Sequence, residues 1–201
     1  MPQVVEPMPN TREPAPNRIQ WTCYQYHAMR DAGILVGRYE LIEGEIISKM
    51  GQNRPHMIVI VLLSEWLRQL FGGAFVQPQG PIQTALSDAD ISEPEPDIAV
   101  TVQPATAYVE NLPAPFDLVL VVEVSDTTLR FDRTAKAALY ARAGIREYWV
   151  VDIIGRQVFV HRQPASEGYA EITAYGPDEM IATLARPNDA VRVAELLPPS
   201  A

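Results

Sequence analysis

The sequence predicts an α/β (α+β) protein: a mixed central β-sheet flanked by α-helices. Three observations predict it. Short apolar runs rich in β-branched residues recur along the chain and outnumber the helical stretches. Three segments carry helix-type patterns with start or stop residues, after Thr22, after Pro55 and after Asp132. The run Leu118–Val122 is continuous and apolar, as a strand buried on both faces of a sheet must be, and it ends on Glu123. Strands and helices that alternate in this way pack most simply as a sheet covered by helices.

The elements follow in chain order. Residues 1–18 contain five prolines and little to bury, and read as a disordered or extended arm before a single domain over residues 19–201. Thr22 and Gln25 form a capping box for a helix that stops at Gly33. Residues 38–42 and 45–50 read as strands, with Glu43-Gly44 as the tight turn between them. A strongly apolar helix is expected over residues 56–71, closed by Gly72-Gly73. Residues 74–77 and 81–84 read as one strand interrupted at Pro78-Gln79-Gly80. Asp97 opens a short strand that reaches Val102, and one helical turn is expected near Tyr108. The buried strand over residues 118–124 follows, then a helix over 133–143 capped by Asp132 and stopped by Gly144. Residues 147–152 and 157–162 form a strand pair turned at Ile154-Gly155. Residues 168–197 hold one or two short strands and a terminal segment docked on the domain.

A chain of 201 residues can bury a sizeable core as one domain. Its formal net charge of −9 excludes non-specific DNA binding through global charge. The charge is uneven, however. Residues 130–146 carry five bases against one acid, whereas residues 87–97 carry five acids and no base, so their convergence would create a site of mixed sign. The single cysteine, Cys23, forbids an intrachain disulfide, fits a reducing cytoplasm and reads as a small buried hydrophobe. The N-terminus lacks a signal-peptide pattern, and the most apolar stretch, residues 57–63, is too short to span a bilayer. With one cysteine and no histidine cluster, zinc is excluded as a structural metal.

Four residues carry the chemistry that the sequence offers: Glu43, Asp97, Glu123 and Lys136. Asp97 opens one strand and Glu123 closes another, so the two meet only if those strands are neighbours. Converging carboxylates repel, and a hard divalent cation relieves the repulsion. Mg²⁺ takes oxygen ligands, often one or two carboxylates with water and substrate phosphate, and that chemistry suits phosphoester hydrolysis. Lys136 is one of only two lysines among 16 bases, and a compact ammonium can hold a water or a phosphoryl oxygen. Each residue also has an ordinary structural reading. Lys136 and Asp132 are spaced for a surface ion pair along a helix. Glu123 could accept backbone amides at a strand end, Asp97 could be a strand-start residue and Glu43 a turn residue. His56 fits a helix cap, and Tyr140, Trp21, Trp66 and Trp149 fit the core.

In order, the segments YELIEGEI, EPEPDIAV, LVVEVSD and DRTAKAALYARAGIREYWVVD resemble the bacterial Uma-type family of restriction endonucleases, within the PD-(D/E)xK nuclease superfamily. The resemblance covers residues 20–197. It implies a restriction-endonuclease-like fold and a Mg²⁺-dependent endonuclease acting on DNA, with Mn²⁺ as the substitute ion. It implies Asp97 and Glu123 as metal ligands, assisted by the carbonyl of Val124, with Lys136 as the catalytic lysine. Glu43 matches the family's earlier acidic position and would bind a water or second metal. Tyr140 and His56 match recurrent family positions. In the superfamily's usual pattern the lysine lies two residues after the second acid, where this chain has Ser125; in the Uma-type branch it sits on the next helix. The acidic balance implies weak DNA affinity, supplemented by a partner or a homodimer, and no membrane. The alternative reading is a nuclease-like fold kept as a binding or interaction module.

Overall fold

Residues 1–8, 19–49 and 53–199 are described by a computed structural model. The elements run β1 (Gln3–Val4), α1 (Cys23–Asp31), β2 (Tyr39–Ile42), β3 (Glu45–Ser48), α2 (Arg54–Phe71), β4 (Val76–Pro78), β5 (Ile98–Thr101) and β6 (Leu118–Ser125). They continue with α3 (Leu129–Phe131), a π turn (Asp132–Lys136), α4 (Ala137–Arg142), β7 (Glu147–Asp152), β8 (Gln157–Ala165), β9 (Gly168–Tyr175), β10 (Met180–Ile181) and β11 (Val191–Arg192). A seven-stranded sheet in the order β1-β9-β8-β7-β6-β5-β4 forms the centre, and β2-β3 and β10-β11 are separate hairpins. Within the central sheet β6 and β7 pair in parallel, and the other neighbours are antiparallel. The expected mixed sheet flanked by helices is therefore present.

Alternation along β6 decides what lies on each side. Leu120, Val122 and Val124 join Val59, Leu63 and Leu67 of α2 in one core layer, with Trp149 behind them. Val121 instead faces Ala137, Tyr140 and Ala141 of α4, in a second layer with Tyr148 and Val150. Successive strand residues point to opposite faces, so Glu123 falls on the α4 side with Val121. Full burial of one such aliphatic side chain contributes about 1.5–3 kcal/mol, so both layers outweigh the local cost of placing a carboxylate between them.

Several expectations shift. The helix after β6 begins at Leu129, not after Asp132. Asp132 is not its cap but a buried member of the π turn, where the Ala137 amide reaches back five residues to the Asp132 carbonyl. The Asp132 carboxylate accepts from Ser125 Oγ (2.7 Å) and Thr128 Oγ1 (2.6 Å) instead. Helix α2 starts two residues earlier than expected, capped by Asn53, whose side chain accepts the His56 amide. Residues 81–84 form no strand, and Ile82 is held by its amide donating to Pro94 O at 3.0 Å. Cys23 is half-exposed, its thiol directed at Ala89 O, rather than a buried hydrophobe. In the expected arm, residues 3–5 add to the sheet edge: β1 pairs with β9, and Val5 donates to Ile172 O at 2.9 Å. The remainder of that arm, 9–18, lies outside the described residues. Thr22 and Gln25 do form the capping box. At the hairpin turn both Glu43 and Gly44 adopt positive φ, and a Cβ on Gly44 would come within 2.7 Å of Gln20 Cβ, so glycine is required there.

Candidate active site

Asp97 precedes β5, and β5 pairs with β6 so that Ile98 lies opposite Val122. That register sets Asp97 beside the end of β6, where its Oδ2 accepts the Val124 amide at 2.9 Å. Glu123 is the next residue back, 2% exposed. The π turn and α4 carry Lys136 and Tyr140 over the same face. Lys136 Nζ stands 2.8 Å from Glu123 Oε1, and Tyr140 donates its hydroxyl to that same oxygen at 2.9 Å. π turns cluster at functional sites because the widened turn re-aims side chains. The alternative reading of Lys136, a surface pair with Asp132, gives way to a buried pairing with Glu123 and Glu40.

Three further groups complete the cluster, and the sequence reading had not assigned two of them. Glu40, from the middle of β2, accepts from Lys136 Nζ at 2.7 Å and from the Glu95 amide at 3.1 Å. Lys49, just after β3, donates to the Glu95 carbonyl and lies 3.5 Å from Asp97 Oδ1 and 3.9 Å from Glu123 Oε2. His56, in the first turn of α2, places Nε2 3.3 Å from Asp97 Oδ2, while its buried Nδ1 has no hydrogen-bond partner. These side chains line one cleft of about 170 Å³ together with Val124, Asp126 and Asp132.

Glu43 is not brought into this cleft, which corrects the expectation drawn from the family resemblance. It sits on the hairpin turn and accepts from Arg142 Nη2 at 2.7 Å, while Arg142 Nε also donates to Asp88 at 3.2 Å. The convergence of the basic and acidic stretches is real, but it builds this outer ion cluster. Of the five bases in 130–146, Lys136 is buried, Arg142 is paired in that cluster and the Arg133 guanidinium lies 3.6 Å over the Phe159 ring. That leaves a smaller basic surface than the sequence suggests.

Electrostatics separate the two central acids. Burial raises the Asp97 pKa, but the His56 hydrogen bond, the Lys49 charge and the Val124 amide hold it well below the usual carboxylate range. Burial pushes Glu123 up to about 8 against the pull of Lys136 and Lys49, with Asp97 and Glu40 adding repulsion. Lys136 stays an ammonium: burial opposes its charge, but Glu123, Glu40 and Asp132 raise it well above the ordinary lysine value. The cluster thus holds more carboxyl groups than its two ammonium groups neutralise.

Asp97 Oδ1 and Glu123 Oε2 are the oxygens that face Lys49, whereas Oδ2 and Oε1 are taken by the amide, imidazole, ammonium and phenol donors above. Among the described residues no group of three or more His, Cys, Asp or Glu is arranged to hold a metal ion. Two hard carboxylate oxygens fit a cation that completes its shell with water and substrate oxygen, as Mg²⁺ does, and do not fit zinc.

A family model with the description "Putative restriction endonuclease" matches residues 25–193 of the chain. Among solved structures, the chain is similar to a protein from Anabaena variabilis described as a "putative nuclease belonging to DUF820". The TM-score is 0.62 at 16% identity, covering 84% of this chain and 96% of that one, which establishes a shared fold. No curated protein matches the chain.

Proposed function

The chain belongs to the Uma2 family of restriction-endonuclease-like proteins, and on that premise we propose that it is a Mg²⁺-dependent endonuclease hydrolysing DNA phosphodiester bonds. The observation that carries this reading is the convergence of Asp97 and Glu123, from adjacent strands, with two ammonium groups on one cleft. Asp97 and Glu123 would hold the cation through Oδ1 and Oε2, with Val124 beside them. A divalent cation bound there supplies Lewis-acid polarisation of a phosphoryl oxygen and a lower pKa for water.

The chain's own residues divide the remaining work. Lys136 lines the cleft but is 2% exposed and held between the carboxyl groups of Glu40 and Glu123. It is a positioning residue that, with Tyr140, aims the free oxygen of Glu123 into the cleft. His56 and the Val124 amide do the same for Asp97. Lys49 is the ammonium that lies on the open side, 13% exposed, where a fixed positive charge stabilises developing charge on phosphoryl oxygens. The net charge of −9 supports weak affinity of the chain alone for DNA, which a partner or a homodimer would supplement. A cytoplasmic setting accords with the single cysteine; among the described residues no helix is long and apolar enough to cross a membrane.

The second reading is an interaction module on a nuclease-like fold. It is favoured by Ser125, which stands where the superfamily usually has its lysine and instead hydrogen-bonds Asp132. Purified protein incubated with supercoiled, linear and single-stranded DNA separates the readings. The nuclease reading requires cleavage that needs Mg²⁺ or Mn²⁺ and disappears in Asp97→Asn. Failure to cut any form, or equal cutting by Asp97→Asn, would rule it out. Calorimetric titration with Mn²⁺ adds a readout independent of turnover, since the module reading expects no binding.

A further inference from the structure

One face of α2 is apolar and uncovered in the monomer. Met57 and Val61 are 43% and 60% exposed, and Ile58 and Leu62 beside them are half-buried. With Arg54 these side chains line a shallow groove, and the opposite face of the helix, Val59, Leu63 and Leu67, is committed to the core. Exposed Glu65 ends the row one turn beyond Leu62. The spacing 54, 57, 58, 61, 62, 65 is that of one continuous helical stripe.

The stripe is complementary to itself. When a second copy of α2 is laid antiparallel about a two-fold axis between positions 59 and 60, Arg54 falls opposite the other copy's Glu65 at both ends. Met57 then meets Leu62, and Ile58 meets Val61. Opposite charges at the ends and apolar pairs between them are what an isologous helix–helix contact requires. The order of residues also fixes the direction, because a parallel pairing would set Arg54 against Arg54 and Glu65 against Glu65. We infer that the occupant of this face is a second copy of the chain, paired α2 to α2 in this antiparallel register.

His56 lies on the other side of α2 from the stripe, with Val59, Leu63 and Leu67, and the groove shares no lining residue with the cleft. The pairing therefore does not rest on the nuclease reading, and its test reads association alone.

Sedimentation velocity of the full chain over a wide micromolar range is the experiment. The wild type is expected to dimerise. Arg54→Glu places acid against acid twice and is expected to weaken the dimer by about tenfold or more, a change of about 1.4 kcal/mol. Glu65→Arg acts likewise, and the double variant Arg54→Glu/Glu65→Arg restores association to near the wild-type level. Both positions are exposed, so circular dichroism should show unchanged folding. A wild type that stays monomeric throughout would overturn the inference and leave the face to a different partner. So would a dimer indifferent to Arg54→Glu, or a double variant no better than the singles.

Discussion

Lys136 Nζ and Glu123 Oε1 lie 2.8 Å apart, both residues 2% exposed, on a helix and a strand thirteen residues apart in the chain. Breaking a buried pair leaves the surviving charge without compensation, which costs about 3–5 kcal/mol. Here two carboxylates would be stranded, Glu123 and Glu40. Lys136→Met is therefore expected to lower unfolding free energy by at least this amount in urea titrations, whether or not a metal is present. A loss below about 1 kcal/mol would mean that water already solvates the pair.

Lys49 competes for the place a cation would take. Its ammonium lies near the same two oxygens, Asp97 Oδ1 and Glu123 Oε2, that other donors leave open. Lys49→Gln should tighten Mn²⁺ binding by about tenfold, the effect of removing roughly 1.4 kcal/mol of competition, while slowing any DNA cleavage. Weaker Mn²⁺ binding in the calorimeter would show that Lys49 assists the cation instead.

The two acids of the YELIEGE segment should behave differently. Glu40→Gln removes a buried partner of Lys136 and is expected to impair both stability and cleavage of plasmid DNA. Glu43→Gln touches the outer contact with Arg142, 18% exposed on the Glu43 side, and should cost no more than about 1 kcal/mol and leave cleavage intact. Cleavage assays on the pair would reverse this assignment if Glu43→Gln were the inactive one.

His161 makes stability depend on pH. It is buried, and burial together with the Arg133 charge lowers its pKa from 6.5 to about 4. The folded state therefore prefers the neutral ring. Its contribution is fully present above 6.5, falls as the unfolded chain takes up a proton below that value, and levels off below 4. Between pH 7 and pH 5 the loss should be about 2 kcal/mol. Glu123, raised to about 8, contributes with the opposite sign over this range, so the check is a comparison: on going from pH 7 to pH 5, chemical unfolding should show the wild type losing about 2 kcal/mol relative to His161→Phe.

How far the site could be read from sequence depended on the kind of signal each residue left. Asp97 and Glu123 were legible because an acid at the edge of an apolar strand is costly unless used. Glu40 carried the stronger version of the same signal, an acid inside the apolar strand Tyr39–Ile42, yet Glu43 in the adjoining turn drew the assignment. A turn acid can be exposed at no cost, so it says less. Lys49 was marked only by rarity, as the other of two lysines, and its approach to Asp97 depends on how the β2-β3 hairpin packs. The architecture was legible from strand and helix periodicity. The π turn was not, because what holds it is non-local: Tyr148 donates its hydroxyl to the Asp132 carbonyl at 3.0 Å from a neighbouring strand.

The parallel pairing of β6 with β7 obliges the chain to cross over the sheet between them, and α4 is that crossing. The span that closes the topology is also the span that delivers Lys136 and Tyr140 to Glu123. Chemistry and architecture therefore share a single stretch of polypeptide. A relative with an uncharged cleft could not shed these side chains one at a time; it would have to exchange Glu40, Glu123 and Lys136 for apolar residues together.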